Sequence, residues 1–153
     1  MEQAILYTDG SCGKNKDGGW ACLISIKHHD FSTSEIEIAG WEENTTNNRM
    51  EMIAAIRGLE YLKEPTQVYL ASDSAYMLNT LKHKWYEDWF RYDKQRKNVD
   101  LWKVLVKLTE QHKIETIKVK GHSDDLVNVR VDKMAVQARL DKVSYTNVIS
   151  PNS

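Results

Sequence analysis

Apolar side chains first gather in the run Ala4-Ile-Leu-Tyr-Thr8, which predicts a strand over residues 3–9. Asp17-Gly-Gly19 marks a turn, and residues 20–27 form a second apolar run. His28-His-Asp30 reads as a hairpin turn into a third strand near 31–41, where Ile36 and Ile38 alternate with polar positions before Trp41. The period then changes. Met52, Ile56, Leu59 and Leu62 recur at helical spacing, with Thr45 or Thr46 available to cap the helix. Pro65-Thr66 precedes a short apolar strand at 67–72, and a helix follows near 74–82. Val99 to His112 is helical with Leu101, Val104, Leu105 and Leu108 on one face, and Glu115 to Val119 is a fifth strand. A last helix near 128–140 carries a stripe of Val127, Val131, Met134, Ala135 and Ala138. An antiparallel meander followed by α-β-α-α-β-α implies an α/β fold, a mixed five-stranded sheet flanked by helices. Residues 1–143 then form one domain, and 144–153, which show no pattern, a short flexible tail.

Composition narrows the class. At 153 residues, 41% hydrophobic and 28% charged, the chain is an ordinary globular domain with enough length to bury a core. No stretch approaches the about 18 apolar residues of a membrane span, and the N-terminus lacks the basic and small-residue marks of a signal peptide. Cytoplasmic residence is expected, with Cys12 and Cys22 as free thiols. The net charge of −1 does not suggest a nucleic-acid partner, but its distribution does. Between residues 82 and 97 there are six positive side chains against three negative, which leaves −4 on the rest of the chain. That segment also holds five of the fourteen aromatic residues, among them Trp85 and Trp89, a mixture suited to sugar stacking and phosphate contact.

Four acidic residues stand out by position. Asp9 ends the first apolar run before Gly10-Ser11, and Asp73 ends the run Val68-Tyr-Leu-Ala71. Glu51 lies near the start of one helical segment and Asp132 inside another, one residue from the apolar stripe. Each alone has a structural explanation. Asp9 could form an Asx turn, Glu51 could face a helix dipole, and Asp73 could cap the helix at Ser74. Carboxylates at strand ends, however, cost desolvation energy unless something pairs with them, and in α/β folds ligands gather at those ends. Hard divalent cations prefer oxygen ligands.

The surrounding text is more specific. Thr8-Asp-Gly-Ser-Cys12, Thr45-Thr-Asn-Asn-Arg-Met-Glu51, Ser72-Asp-Ser-Ala-Tyr76 and Val119-Lys-Gly-His122, with Asp132 ten residues on, resemble type 1 ribonuclease H, the bacterial form most closely. The resemblance runs from about residue 3 to 140, in the family's order and spacing. It implies the ribonuclease H fold with the first strand central. It also implies a metal-dependent endonuclease that cuts the RNA strand of RNA/DNA hybrids and leaves 3′-hydroxyl and 5′-phosphate ends. Asp9, Glu51, Asp73 and Asp132 would hold two Mg²⁺ ions, with Mn²⁺ able to substitute, and His122 would assist proton transfer. Cys12, Asn15, Asn48 and Glu51 would face the RNA strand and Asn47 the minor groove. Thr46 and Asn98 would hold a DNA phosphate, and Trp85 would approach the DNA strand. The hybrid is the expected partner, the chain acting as a monomer without an obligate protein partner and without a membrane.

Three positions depart from the family's usual text. Ala75 replaces a longer polar residue, Asn44 stands where an arginine is common, and the loop from Cys12 to Gly19 lacks prolines. The loop after His122 carries two extra acids, Asp124 and Asp125, which read as loop solvation and a helix N-terminal charge. A catalytically silent hybrid-binding module is the alternative, but such a module has no need of four carboxylates. Another nuclease or a transposase-like relative of the same fold is disfavoured by the Thr45–Glu51 run and the Lys-Gly-His loop.

Overall fold

A computed structural model describes residues 1–92, 96–120 and 125–149. The elements run β1 (Gln3–Cys12), β2 (Gly18–Lys27), β3 (Thr33–Glu42), α1 (Asn47–Tyr61), β4 (Gln67–Ser72), α2 (Ala75–His83), α3 (Tyr86–Arg91), α4 (Val99–Glu110), β5 (Lys113–Lys118), α5 (Leu126–Asp141) and β6 (Tyr145–Ile149). They form one mixed sheet in the order β5-β4-β1-β2-β3-β6, with β1 inside it as expected. β1, β4 and β5 are parallel, and β2, β3 and β6 extend the sheet antiparallel.

The sheet has six strands, not five. The sixth comes from the segment that showed no pattern: Tyr145–Ile149 pairs antiparallel with β3, Ile149 against Glu35 through Tyr145 against Ala39. Its side chains are largely exposed, so no face is apolar enough to leave a periodic mark. Backbone pairing to the open edge of β3 holds it there.

Two apolar layers sandwich the sheet. Leu6, Ile24 and Ile36 pack with Met52, Leu59 and Trp102 on the α1 and α4 side. On the other face Ala21, Leu23 and Ala39 meet Val131, Met134, Ala135 and Ala138 of α5, the stripe expected from the sequence. That second contact is tight. A Cβ on Gly19 would lie 2.0 Å from the Ala135 carbonyl oxygen. Gly18 and Gly19 therefore open β2 rather than make the turn, which sits at 13–16. Gly19 is glycine because α5 approaches it, and Gly18 because Thr45 and Met50 do, not because the chain reverses there.

The face of α4 holds Leu105 in the core with Leu101 and Leu108 packed against it, as expected, and departs from the expectation at Val104. Trp102, Leu105 and Val106 are its buried residues, while Val104 is 44% exposed. Trp102 is the largest fully buried side chain, and aromatic contacts with Tyr76, Tyr86 and Trp89 turn the helix toward it. Among the described residues no helix is long and apolar enough to cross a membrane.

Candidate active site

β1 outruns its parallel neighbour. Its pairing with β4 ends at Tyr7 and Ala71, whereas its pairing with β2 continues to Cys12. A crevice opens where β4 leaves the sheet, at the carboxyl ends of both strands, the place where α/β folds collect ligands. Asp9 lies on one side of it. Its Oδ1 accepts from the Gly10 backbone N–H at 2.9 Å. Gly10 is what lets α1 come down on β1: a Cβ there would be 2.6 Å from the Glu51 nitrogen and 2.7 Å from Met50 Cβ. The Asp-Gly pair thus supplies both an acid and the room for Glu51 to reach it.

Asp73 comes from the end of β4, and its carboxylate is free of capping duty. Ser74 is the N-cap of α2, its hydroxyl accepting from Met77 N–H at 3.2 Å. The turn is fixed from several sides. Ser74 N–H donates to Ser72 Oγ at 3.0 Å, Val119 N–H donates to Ser72 O at 2.9 Å, and Lys118 Nζ donates to the Asp73 carbonyl.

Asp9, Glu51 and Asp73 each present a carboxylate oxygen, and these atoms lie within 4.8 Å of one another. Asp132, from α5, lines the same cavity of about 470 Å³ but stands outside that tight cluster. Among the described residues no cation pairs with Asp9, Glu51 or Asp73. Like charges packed together in a poorly solvated place hold protons. Burial first, then Asp73 and Asp132, push Asp9 up to about 7. Burial, then Asp9 and Asp73, push Glu51 up to about 10. Side-chain hydrogen bonding between the two carboxyl groups adds to the rise at Glu51 and offsets part of it at Asp9. Glu51 Oε2 is buried without any partner. A buried oxygen without a donor, beside acids that resist ionisation, fits a hard divalent cation, which would supply both the missing partner and the missing charge.

The other expected site residues are placed less uniformly. Asn47 and Asn48 line the cavity at the N-terminus of α1. Thr46 caps that helix, its hydroxyl accepting from Arg49 N–H at 3.2 Å. Cys12 is half-buried, with its thiol 3.5 Å from the Thr45 carbonyl. Asn15 is exposed in the β1–β2 turn, where it bonds Asp17. Asn98 sits at the start of α4, away from the cavity lining. Trp85 is 47% exposed and stacks on His83 at 5.5 Å, while Trp89 packs edge-on against Trp102 at 6.2 Å. His122 and Asp124 lie outside the described residues. Asp125 caps α5 through Val127 N–H at 2.9 Å, in keeping with a helix N-terminal role. Asn44 has a φ of 50°, a left-handed conformation that asparagine tolerates better than arginine. Sequence reasoning missed Lys118 and Arg49, whose partners are distant in the chain; only the presence of Arg49 within the Thr45–Glu51 run hinted at it.

A family model described as RNase H matches residues 1–139. The chain belongs to the RNase H family. Among its relatives, the ribonuclease H of Acetivibrio thermocellus is 45% identical over 142 residues, covering 88% of this chain and 93% of that protein. The ribonuclease H of Chlorobaculum parvum is 46% identical over 143 residues, covering 88% and 94%. The crystal structure of LC9-RNase H1 shares the fold, with a TM-score of 0.84 at 24% identity over 97% of this chain and 77% of that one. As a ribonuclease H, the chain is an endoribonuclease, a hydrolase of phosphodiesters. The carboxylate cluster is where such a family member can hold metal.

Proposed function

We propose that this enzyme hydrolyses the RNA strand of RNA/DNA hybrids by a two-metal-ion mechanism, leaving 3′-hydroxyl and 5′-phosphate ends. The observation that carries the reading is the set of three carboxylates converging within 4.8 Å, with Asp132 on the same cavity and, among the described residues, no ion pair to any of the three. Asp9, Glu51, Asp73 and Asp132 are the residues that would hold the ions, Mg²⁺ by availability and Mn²⁺ as a substitute at the same oxygen donors. Such ions, when bound, activate a water and stabilise the leaving oxygen.

The rest is work for the chain. With ions held at the cluster, Glu51 would face them as a carboxylate. The packing of α1 on Gly10 keeps Asp9 and Glu51 in register. Asn47 and Asn48, on the rim, offer short polar groups to a minor groove, where 2′-hydroxyls mark the RNA strand. Cys12 and Asn15 extend that contact. Thr46 and Asn98 receive a phosphate of the DNA strand, and Trp85 with its lysine neighbours meets the same strand farther out. His122 moves the proton that the reaction releases. The working form is a cytoplasmic monomer.

The test is cleavage of a labelled RNA strand paired to DNA, with Mg²⁺ and with EDTA, beside single-stranded RNA and duplex RNA. Cutting of the hybrid alone, dependent on Mg²⁺, with product 5′ ends that a phosphatase can strip, is the expected result. Tight hybrid binding without cutting under either metal would overturn the reading in favour of a silent binding module.

A further inference from the structure

Arg49 belongs to the Thr45–Glu51 run yet does not line the acidic cavity. Its guanidinium forms a fork on Asp100, Nη1 and Nη2 donating to the two carboxylate oxygens at 3.1 and 2.9 Å. Nη1 also donates to Asn98 Oδ1 at 3.3 Å. From the other side, Asn98 Nδ2 donates to the Tyr76 hydroxyl at 3.4 Å, and Trp102 Nε1 donates to that same hydroxyl at 2.8 Å. Trp102 is fully buried, so the hydroxyl is tied to the core. Asn98 itself has a φ of 66°, a left-handed conformation for a residue with a side chain.

A carboxamide has two ends of nearly equal shape and opposite polarity, and alone it can turn either end outward. Arginine only donates, so the end facing Arg49 must be the oxygen. That puts the NH₂ group on the other end. One of its hydrogens is taken by Tyr76, and among the described residues nothing accepts the second. Arg49 also donates its backbone N–H to Thr46 Oγ1, which places both expected phosphate contacts around one arginine. Lysine could not make the fork that holds Asp100 and Asn98 together.

We propose that Arg49 and Tyr76 are positioning residues that set the polarity of the Asn98 carboxamide, so that an N–H faces a phosphate of the bound DNA strand. The inference rests on the reading of Asn98 as a phosphate contact given above. It adds that the contact is preset before substrate arrives, which lowers the cost of ordering the side chain on binding.

The test is KM and kcat on a labelled hybrid for wild type, Asn98→Ala, Tyr76→Phe, Arg49→Lys, and each of the last two combined with Asn98→Ala. Asn98→Ala should raise KM about fivefold, the worth of a lost hydrogen bond. Tyr76→Phe and Arg49→Lys should each raise KM about threefold with smaller effects on kcat. In the Asn98→Ala background both should add almost nothing, because the group they position is gone. If Asn98→Ala raises KM but the other two variants do not, or if their effects persist in that background, the positioning role is wrong. If Asn98→Ala leaves KM unchanged, the phosphate reading fails and the positioning role fails with it. Tyr76→Phe removes one oxygen only, so it tests the idea even if Arg49→Lys proves poorly folded.

Discussion

Two places in this molecule crowd carboxylates together, and they are settled in opposite ways. On the α5–β3 surface, Glu37 accepts from Arg130 Nη2 at 2.9 Å and Nε at 3.2 Å, and from Asn147 at 3.2 Å. Glu35 lies 3.6 Å from the same guanidinium. Every acid there has a donor within the chain. In the crevice between β1 and β4, Asp9, Glu51 and Asp73 converge with no cation partner among the described residues, and one buried oxygen of Glu51 has no partner at all. The first arrangement ties α5 and β6 to the sheet. The second works against the fold and leaves converging oxygens that could hold a metal ion. The comparison separates acids that hold structure from acids that wait for a ligand, although both groups are close-set and partly buried.

The largest expected effect is on the second group. Glu51→Gln keeps the shape of the side chain and removes its charge. It should lower hybrid cleavage by more than about 100-fold, since the substitution removes a metal-binding charge. In metal-free buffer at pH 8 its melting temperature should match or exceed that of the wild type. A loss of activity accompanied by a lower melting temperature would move Glu51 into the structural class.

Proton linkage gives the next effect. Asp9 is raised from 3.8 to about 7 and Glu51 from 4.5 to about 10, so the folded chain keeps protons that the unfolded chain has released. Stability therefore falls as pH rises from about 4 toward 10, and it is highest at the acid end of that window as far as these two groups are concerned. Melting curves in EDTA should shift downward between pH 5.5 and pH 8.5. Mg²⁺ should recover most of the shift at the higher pH, because it binds the ionised cluster of the folded state. A pH response that Mg²⁺ does not alter would break the contrast between the two sites.

The smallest effect belongs to the surface seam. Arg130→Gln leaves Glu35 and Glu37 without their shared cation, but the arginine side chain is 37% exposed. The expected cost is about 1 kcal/mol or less, read by chemical denaturation, with hybrid cleavage unchanged. A large loss of cleavage in this variant would mean that α5 carries Asp132 less rigidly than the packing of Val131, Ala135 and Ala138 implies.

How much of this was legible beforehand depends on where the signal resides. The strand Gln67–Ser72 matches its expected bounds because a proline, a short apolar run and a polar exit all lie side by side in the chain. The α5 stripe was legible for the same reason, as a local period. The four carboxylates were visible as members of motifs, and three of them converge within 4.8 Å, where they could hold a metal ion. What escaped was non-local. Tyr145–Ile149 becomes a strand only through the edge of β3. Gly19 is glycine because of Ala135, more than a hundred residues away. The α4 face is decided by one tryptophan that meets aromatics from two other helices. Arg49 acquires a role only when Asn98 and Asp100 fold against it. Local periods announce elements, while a single long-range contact announces nothing until the chain has closed.

The most direct test of the central claim is Asp9→Asn, measured for hybrid cleavage with Mg²⁺ and for melting temperature in EDTA at pH 8. Asparagine keeps an oxygen that can accept from Gly10, loses the charge and replaces the second oxygen with an NH₂ group. Cleavage abolished together with a melting temperature raised by at least about 2 °C would show that Asp9 serves the ligand at the expense of the fold. Cleavage retained, or cleavage lost together with a lowered melting temperature, would contradict it.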